Sequence, residues 1–321
     1  MRSAIFSLIP SAKRGGSTVA SSWIAIWLRD LLEIPLYEDD KILEEGSLDC
    51  LFIVNGSTLY CKHLPAIGQA VRDAKRVIWV QNDYTLPPPL PESDAISPFR
   101  RAFADRKLVP DYWTTCENNV HKTPGSRWVN WNVLGYKVGL TRAPLGHRHG
   151  LYYGAHRDGR VSAFEAIYAA FAGKPLHISS TSAQFPDALR IAPFRADFYG
   201  SIRKYGVGIY CQDEKSIEGR TSPATRFYEM LSVGLPMVFL PDCVGTLAHY
   251  GYDVSEYVLT PDTCFDLIEK RREIADEQQA WVKDFEGELA TQVRYLYDRL
   301  LSTGTPIHAG RGIHGGVQPP L

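Results

Sequence analysis

Short, almost wholly apolar runs recur along this chain, and stretches with helical spacing separate them. Residues 3–9, 50–54 and 76–80 are such runs. Apolar residues at nearly every position, rather than at alternate ones, match strands covered on both faces of a parallel sheet. Between the first two runs, Val19, Trp23, Ile26, Trp27 and Leu31 fall on one face of a helix over 18–32. Residues 34–37, 112–115 and 128–134 read as further strands and 65–74 as a second helix. The proline-rich Pro87-Pro-Pro-Leu-Pro91 reads as a loop. A second alternation starts near Leu151, with strand 151–154, helix 161–171, strand 176–179, a short helix 185–189 and strand 208–211. Residues 262–275 and 277–301 read as helices, the latter with Trp281, Phe285, Leu289, Val293, Leu296 and Leu300 in phase.

Strands alternating with helices predict a doubly wound α/β architecture. Its repetition predicts two Rossmann-like domains, residues 1–148 and 149–275, then a long helix within 276–303 and an unstructured Gly- and Pro-rich tail at 304–321.

The segment 222–240 accounts for all of its apolar residues and leaves two charged ones over. Ser222 suits a helix N-cap and Pro223 the first helical position. Phe227, Met230 and Leu231 share an apolar face, Gly234 fits the left-handed residue after a helix, and Met237-Val-Phe-Leu240 is a buried strand. Arg226 and Glu229 lie one turn apart on another face, close to a helix N-terminus that attracts anions. A cation and a carboxylate so placed can hold a phosphate and a ribose, or form a surface ion pair.

Arg226-Phe-Tyr-Glu-Met-Leu-Ser-Val-Gly-Leu-Pro-Met-Val238 resembles the E-(A/M)-(L/M)-x-x-G-x-P-V-(V/I) stretch in the C-terminal domain of GT-B glycosyltransferases. The resemblance implies two Rossmann-like domains facing a cleft, with the last helix crossing back to the first domain. It gives Glu229 the ribose of a nucleotide-sugar. It also implies that the turn after strand 151–154 contacts the donor pyrophosphate, which makes Gly154, His156 and Arg157 donor-binding candidates. Gly154 allows close backbone approach, and His156 and Arg157 follow a strand's carboxyl end, where α/β sheets bind ligands. Arg157 and Arg226 would stabilise the charge growing on a diphosphate leaving group. Alternatively Arg157 pairs with Asp158 at the surface; Arg160 is the lesser candidate.

Transfer to a hydroxyl needs a base. Asp83, just after strand 76–80, is the candidate, unless Asn82-Asp83 caps an Asx-type turn; Asp94, Asp111 and His63 stand in reserve. Size and layout resemble the inverting DNA β-glucosyltransferases of bacteriophages, which use an N-domain aspartate in this role. Many retaining GT-B enzymes carry a second glutamate eight positions before the ribose-binding one. Here that position is Thr221, and Glu218 has the wrong spacing, which favours inversion. The loop Ser11-Ala-Lys-Arg-Gly-Gly-Ser-Thr18 matches neither common phosphate-binding glycine pattern. The resemblance brings it near the donor sugar or the acceptor, with Lys13 and Arg14 as candidate acceptor contacts; a solvated turn is the alternative.

Composition and charge add bounds. The 321 residues are 45% hydrophobic and 22% charged, as in soluble globular proteins. No run of about 18 apolar residues is present for a membrane span. The apolar start is too short for a signal peptide, and Lys13-Arg-Gly-Gly16 follows it. A cytoplasmic location is expected, the host's if the chain is phage-encoded. Six scattered cysteines without metal-ligand spacing read as reduced thiols. Net charge is −1, yet residues 98–148 hold nine Lys and Arg against three Asp and Glu, with Trp113, Trp128, Trp131 and Tyr136 among them. Such a stretch binds polyanions, or it is a solvated surface over an aromatic core. Arg100 and Arg101 are the candidate acceptor contacts here. The expected function is inverting transfer of a sugar, glucose first, from a UDP-sugar to a hydroxymethylpyrimidine in DNA, the base flipped out of the duplex. A glycan, lipid or small-molecule acceptor is one alternative, and a non-catalytic nucleotide- or DNA-binding module another. A monomer is expected, and no ligand cluster for a divalent metal stands out.

Overall fold

The structure is a computed structural model that describes residues 2–7, 19–54, 64–81, 111–120, 126–140, 147–154, 160–179 and 198–302. The first half runs β1 (Ser3–Phe6), α1 (Val19–Leu32), β2 (Leu36–Tyr37), β3 (Cys50–Val54), α2 (Leu64–Asp73), β4 (Val77–Gln81), β5 (Asp111–Thr114), α3 (Glu117–Val120) and β6 (Arg127–Trp128). Its strands form one parallel sheet in the order β2-β1-β3-β4-β5-β6. β3 and β4 lie inside it and are buried at every position, the reason for their unbroken apolar runs.

The second half runs β7 (Gly150–Tyr153), α4 (Val161–Ala170), β8 (Leu176–Ser179), α5 (Phe198–Ile202), β9 (Val207–Tyr210), α6 (Glu214–Glu218), α7 (Thr225–Ser232), β10 (Met237–Phe239), α8 (Val244–His249), α9 (Cys264–Glu269), α10 (Arg271–Gln278) and α11 (Phe285–Ser302). Its parallel sheet has the order β10-β9-β7-β8. In both sheets the chain steps outward once, to β2 or β8, and then returns past its first strand. The strand order therefore reverses beside β1 and beside β7, and open α/β sheets bind ligands at the carboxyl ends next to such a switch.

α11 returns to the first half as expected. Tyr297 Oη donates to Ser3 Oγ at 2.8 Å, Gln292 Nε2 donates to the Trp128 carbonyl at 2.9 Å, and the Tyr297 ring lies 5.8 Å from Phe52. The helix starts later than its periodicity predicts. A 3-10 turn, Gln279–Trp281, and extended Val282 interrupt the run, and Asp284 Oδ1 then accepts from Gly287 N at 3.0 Å. Residues 262–275 form two helices that share Lys270 at their junction, not one. Residues 128–134 are a strand only at the start. The rest is a 3-10 turn, Trp131–Gly135, buried on all sides among α1, α7 and α11, so its apolar run mimics a strand.

The aromatic residues of the basic stretch are packing residues, the second of the two readings the sequence left open. Trp113 and Trp131 are buried and stack on each other at 6.3 Å; Trp128 stacks on Tyr250 at 5.8 Å and Tyr136 packs edge-on against Phe285. No helix among the described residues is long and apolar enough to cross a membrane.

Candidate donor site at the β7 switch

α7 departs from its expected start. Ser222 is not the N-cap: its N–H donates to the Thr115 carbonyl at 3.0 Å, beside an antiparallel bridge between Cys116 and Thr221. That long-range contact extends the chain, so the helix begins two residues later, at Thr225 with Ala224 as its N-cap. Alanine has no capping oxygen, and the first N–H groups of α7 gain no side-chain cap. The C-terminal end is as expected. Gly234 has a φ of +64°, its N–H bonds Leu231 O, and Leu235 N bonds Met230 O, a Schellman arrangement. Phe227, Met230 and Leu231 are buried.

Arg226 and Glu229 are buried too, at 7% and 5% exposure, so they are not a surface ion pair. They reach the end of β7 through consecutive tyrosines. Arg226 Nη1 donates to Tyr152 Oη at 3.3 Å, and Nη2 donates to the Cys211 carbonyl. Its guanidinium carbon lies 5.5 Å from the Tyr152 and Tyr210 ring centroids. Tyr153 Oη donates to Glu229 Oε2 at 2.9 Å. Three residues apart on one helix, the two charged groups thus meet the carboxyl end of β7 together, and Tyr153 Oη also lies 3.3 Å from the Arg226 carbonyl.

Gly154 closes this corner. Its φ is +142°, which strongly favours glycine, and a Cβ there would lie 2.8 Å from Arg226 Nη1 and 3.2 Å from Tyr152 Oη. Arg160, the lesser candidate by sequence, is also here. It is buried, donates from Nη1 to the same Tyr152 hydroxyl at 3.0 Å, and pairs with Asp213 Oδ2 at 3.3 Å.

The electrostatics differ between the two arginines. Arg160 has a carboxylate. Arg226 has none among the described residues, and its buried Nε meets no acceptor. A guanidinium does not give up its proton in a protein, so among the described residues this buried charge is held by a phenol and a carbonyl with no carboxylate at salt-bridge distance, an arrangement an anion would complete. Burial pushes the Glu229 carboxyl up to about 7, against the opposing hydrogen bond of Tyr153 and the charges of Arg226 and Lys137. Burial also raises the Tyr153 phenol well above its usual range, so it stays a donor.

Thr221, at the position of the retaining-type glutamate, is buried against the first half and brings no carboxylate. Of the other predicted site residues, Asp83, His156, Arg157, Lys13, Arg14, Arg100, Arg101, Asp94 and His63 lie outside the described residues. Asp111 is misplaced for a base: it opens β5, at the amino edge of the first sheet, where α/β sheets do not present ligands. The tyrosine pair is what sequence reasoning passed over, and Arg160 is what it ranked too low. Their signal was Tyr-Tyr-Gly at a strand end with an arginine at the start of the next helix.

No protein-family model matches the sequence, and no curated protein matches it. Solved structures do match in shape. A structure of T4 phage BGT in complex with UDP and Mn2+ superposes with a TM-score of 0.64 at 10% identity, covering 94% of this chain and 100% of that one. A T4 phage BGT mutant in complex with UDP-glucose gives 0.62 at 12% identity, with the same coverage. The chain therefore has the two-domain GT-B fold of these structures.

Proposed function

We propose that this protein is a glycosyltransferase that moves a sugar from a UDP-sugar to a hydroxyl acceptor. One observation carries the reading: the Arg226 guanidinium, buried without a carboxylate among the described residues, sits at the β7 switch against Gly154. The T4 phage BGT structures of the same fold, with UDP or UDP-glucose bound, support the choice of donor.

In this reading Arg226 binds the diphosphate, with Arg160 beside it and the uncapped N-terminus of α7 adding donors. Arg157 and His156 complete the phosphate contacts, and Glu229 accepts from the ribose hydroxyls. The acceptor oxygen attacks the anomeric carbon as the bond from that carbon to the diphosphate oxygen breaks. Asp83 takes the acceptor proton, and UDP leaves with the bonding electrons. Arg226 gains most as negative charge grows on the leaving group, which is how fixed donors lower a barrier. One displacement inverts the anomeric centre, and Thr221 in place of a carboxylate agrees with that. No group of three or more His, Cys, Asp or Glu among the described residues is arranged to hold a metal ion, and no step here runs through one.

The acceptor in this proposal is a hydroxymethylpyrimidine in DNA, supported by the basic surplus over residues 98–148 and by the resemblance to phage DNA glucosyltransferases. The burial of Trp113 and Trp131 favours a second reading, a glycan or small-molecule hydroxyl, because it removes the stacking surfaces a base needs. Labelled UDP-sugars offered with hydroxymethylated DNA, plain DNA and simple glycans separate these. Label entering hydroxymethylated DNA alone, with steep salt dependence, supports the first. Label entering only a glycan replaces the acceptor, and no turnover of any nucleotide-sugar overturns the enzyme.

A further inference from the structure

The donor helix α7 belongs to the second half by sequence, yet side chains of the first half hold it. Asn132, on the Trp131–Gly135 turn and 5% exposed, spans its start. Its Nδ2 lies 3.4 Å from both the carbonyl and the hydroxyl of Ser222, and its Oδ1 accepts from Thr225 Oγ1 at 3.2 Å. Asn130 Nδ2 donates to Tyr228 Oη at 2.9 Å, one turn along. Past the turn, Lys137 N donates to Ser232 Oγ at 2.8 Å, at the helix's end. Gly135 lets the two backbones meet, since a Cβ there would lie 2.6 Å from Thr225 Cγ2 and 2.7 Å from the Thr225 carbonyl.

These contacts run the length of α7 and bracket Arg226 on both sides. Residue 226 follows Thr225 directly, so the bond from Thr225 to Asn132 fixes the helix rotation that aims the guanidinium at Tyr152. We propose that Asn132 is a positioning residue for the donor site: from the first half it sets the placement of Arg226, through Thr225. The consequence is that α7 moves with the 130–137 segment in any opening of the cleft, so donor binding in one half responds to what the other half does. This rests on Arg226 being the diphosphate ligand.

The test is UDP affinity by titration calorimetry on the full chain, with urea unfolding of each variant alongside. Thr225→Val is nearly isosteric and removes the hydroxyl; Thr225→Ser keeps it. Loss of one such bond predicts about fivefold to tenfold weaker UDP binding in Thr225→Val and in Asn132→Ala, and near wild-type binding in Thr225→Ser. The double variant is no weaker than the worse single one, because both remove the same bond. A merely structural role lowers the urea midpoint in Thr225→Val and Asn132→Ala while UDP affinity stays at the wild-type value. If Arg226→Met loses UDP while Thr225→Val keeps wild-type affinity, or if the double variant is additive, the positioning role is overturned and the donor reading stands. If Arg226→Met binds UDP like the wild type, the donor reading itself falls, and this inference with it.

Discussion

Asp111 begins a strand of the first sheet, and Glu229 sits over the end of a strand of the second. Both carboxyl groups have arginine neighbours, and burial raises both, Asp111 to about 6 and Glu229 to about 7. Arg76 and Arg127 lower Asp111 at the amino edge of the first sheet. Arg226 flanks Glu229 at the carboxyl edge of the second, beside the switch in strand order. A perturbed titration alone would nominate both places. Topology and charge balance separate them: only the second combines a switch point, a glycine at positive φ and a buried guanidinium without a carboxylate among the described residues. A shifted carboxyl marks burial, and a buried cation with no carboxylate at salt-bridge distance among the described residues marks a place for an anion.

The sharpest way to break this contrast is at Arg160. Arg160→Met leaves the buried Asp213 without its guanidinium and should cost about 3 kcal/mol in urea unfolding. Arg226→Met relieves a desolvated charge as it loses its hydrogen bonds, and should cost clearly less. Equal losses would mean that Arg226 is as well compensated as Arg160.

Glu229 comes next. Its folded pKa lies above the unfolded value near 4.5, so the stability it lends is fully present below that pH and is lost as pH rises through about 7. Integrated over that window the loss is about 3 kcal/mol. Glu229→Gln should therefore flatten the fall in stability between pH 5 and 7. Ribose hydroxyls favour the ionised form, so UDP binding near pH 6.5 should release a fraction of a proton from Glu229, and the glutamine variant should release correspondingly less, the remainder coming from the terminal phosphate of UDP. Unchanged proton release would remove Glu229 from the site.

Gly135→Ala drives a methyl into Thr225 and should destabilise by about 1–3 kcal/mol, with weaker UDP binding. A change in stability without any change in binding would detach the Trp131–Gly135 turn from donor recognition. The smallest effect is expected at the other carboxyl. Asp111→Asn should flatten the loss of stability as pH rises toward 6 and leave UDP affinity at the wild-type value. A loss of affinity there would erase the contrast.

The sequence displayed the strands best where every residue is buried. β3, buried at every position, has the predicted bounds, because an unbroken apolar run has few alternatives; β8 also keeps its bounds, although Leu176 and His177 are only half-buried. It showed Gly234 and the strand after it for the same local reason. What stayed hidden depends on contacts far along the chain. Ser222 looks like a cap until Thr115, over a hundred residues earlier, takes its N–H. Residues 128–134 look like a strand until three helices are found around the turn. Arg160 looked peripheral because its partners, Tyr152 and Asp213, are 8 and 53 residues away. Arg226 and Glu229 were visible as a pair, but charge on a helix reads as surface, and only the fold shows them buried on two tyrosines.

UDP titrated calorimetrically into the wild-type protein and into Arg226→Met, at one pH and salt concentration, tests the central claim most directly. The account predicts saturable binding to the wild type and at least about a hundredfold weaker binding to the variant, as for a lost charge-assisted phosphate contact, with the urea midpoint of the variant little changed. Wild-type affinity in a folded Arg226→Met variant would contradict it.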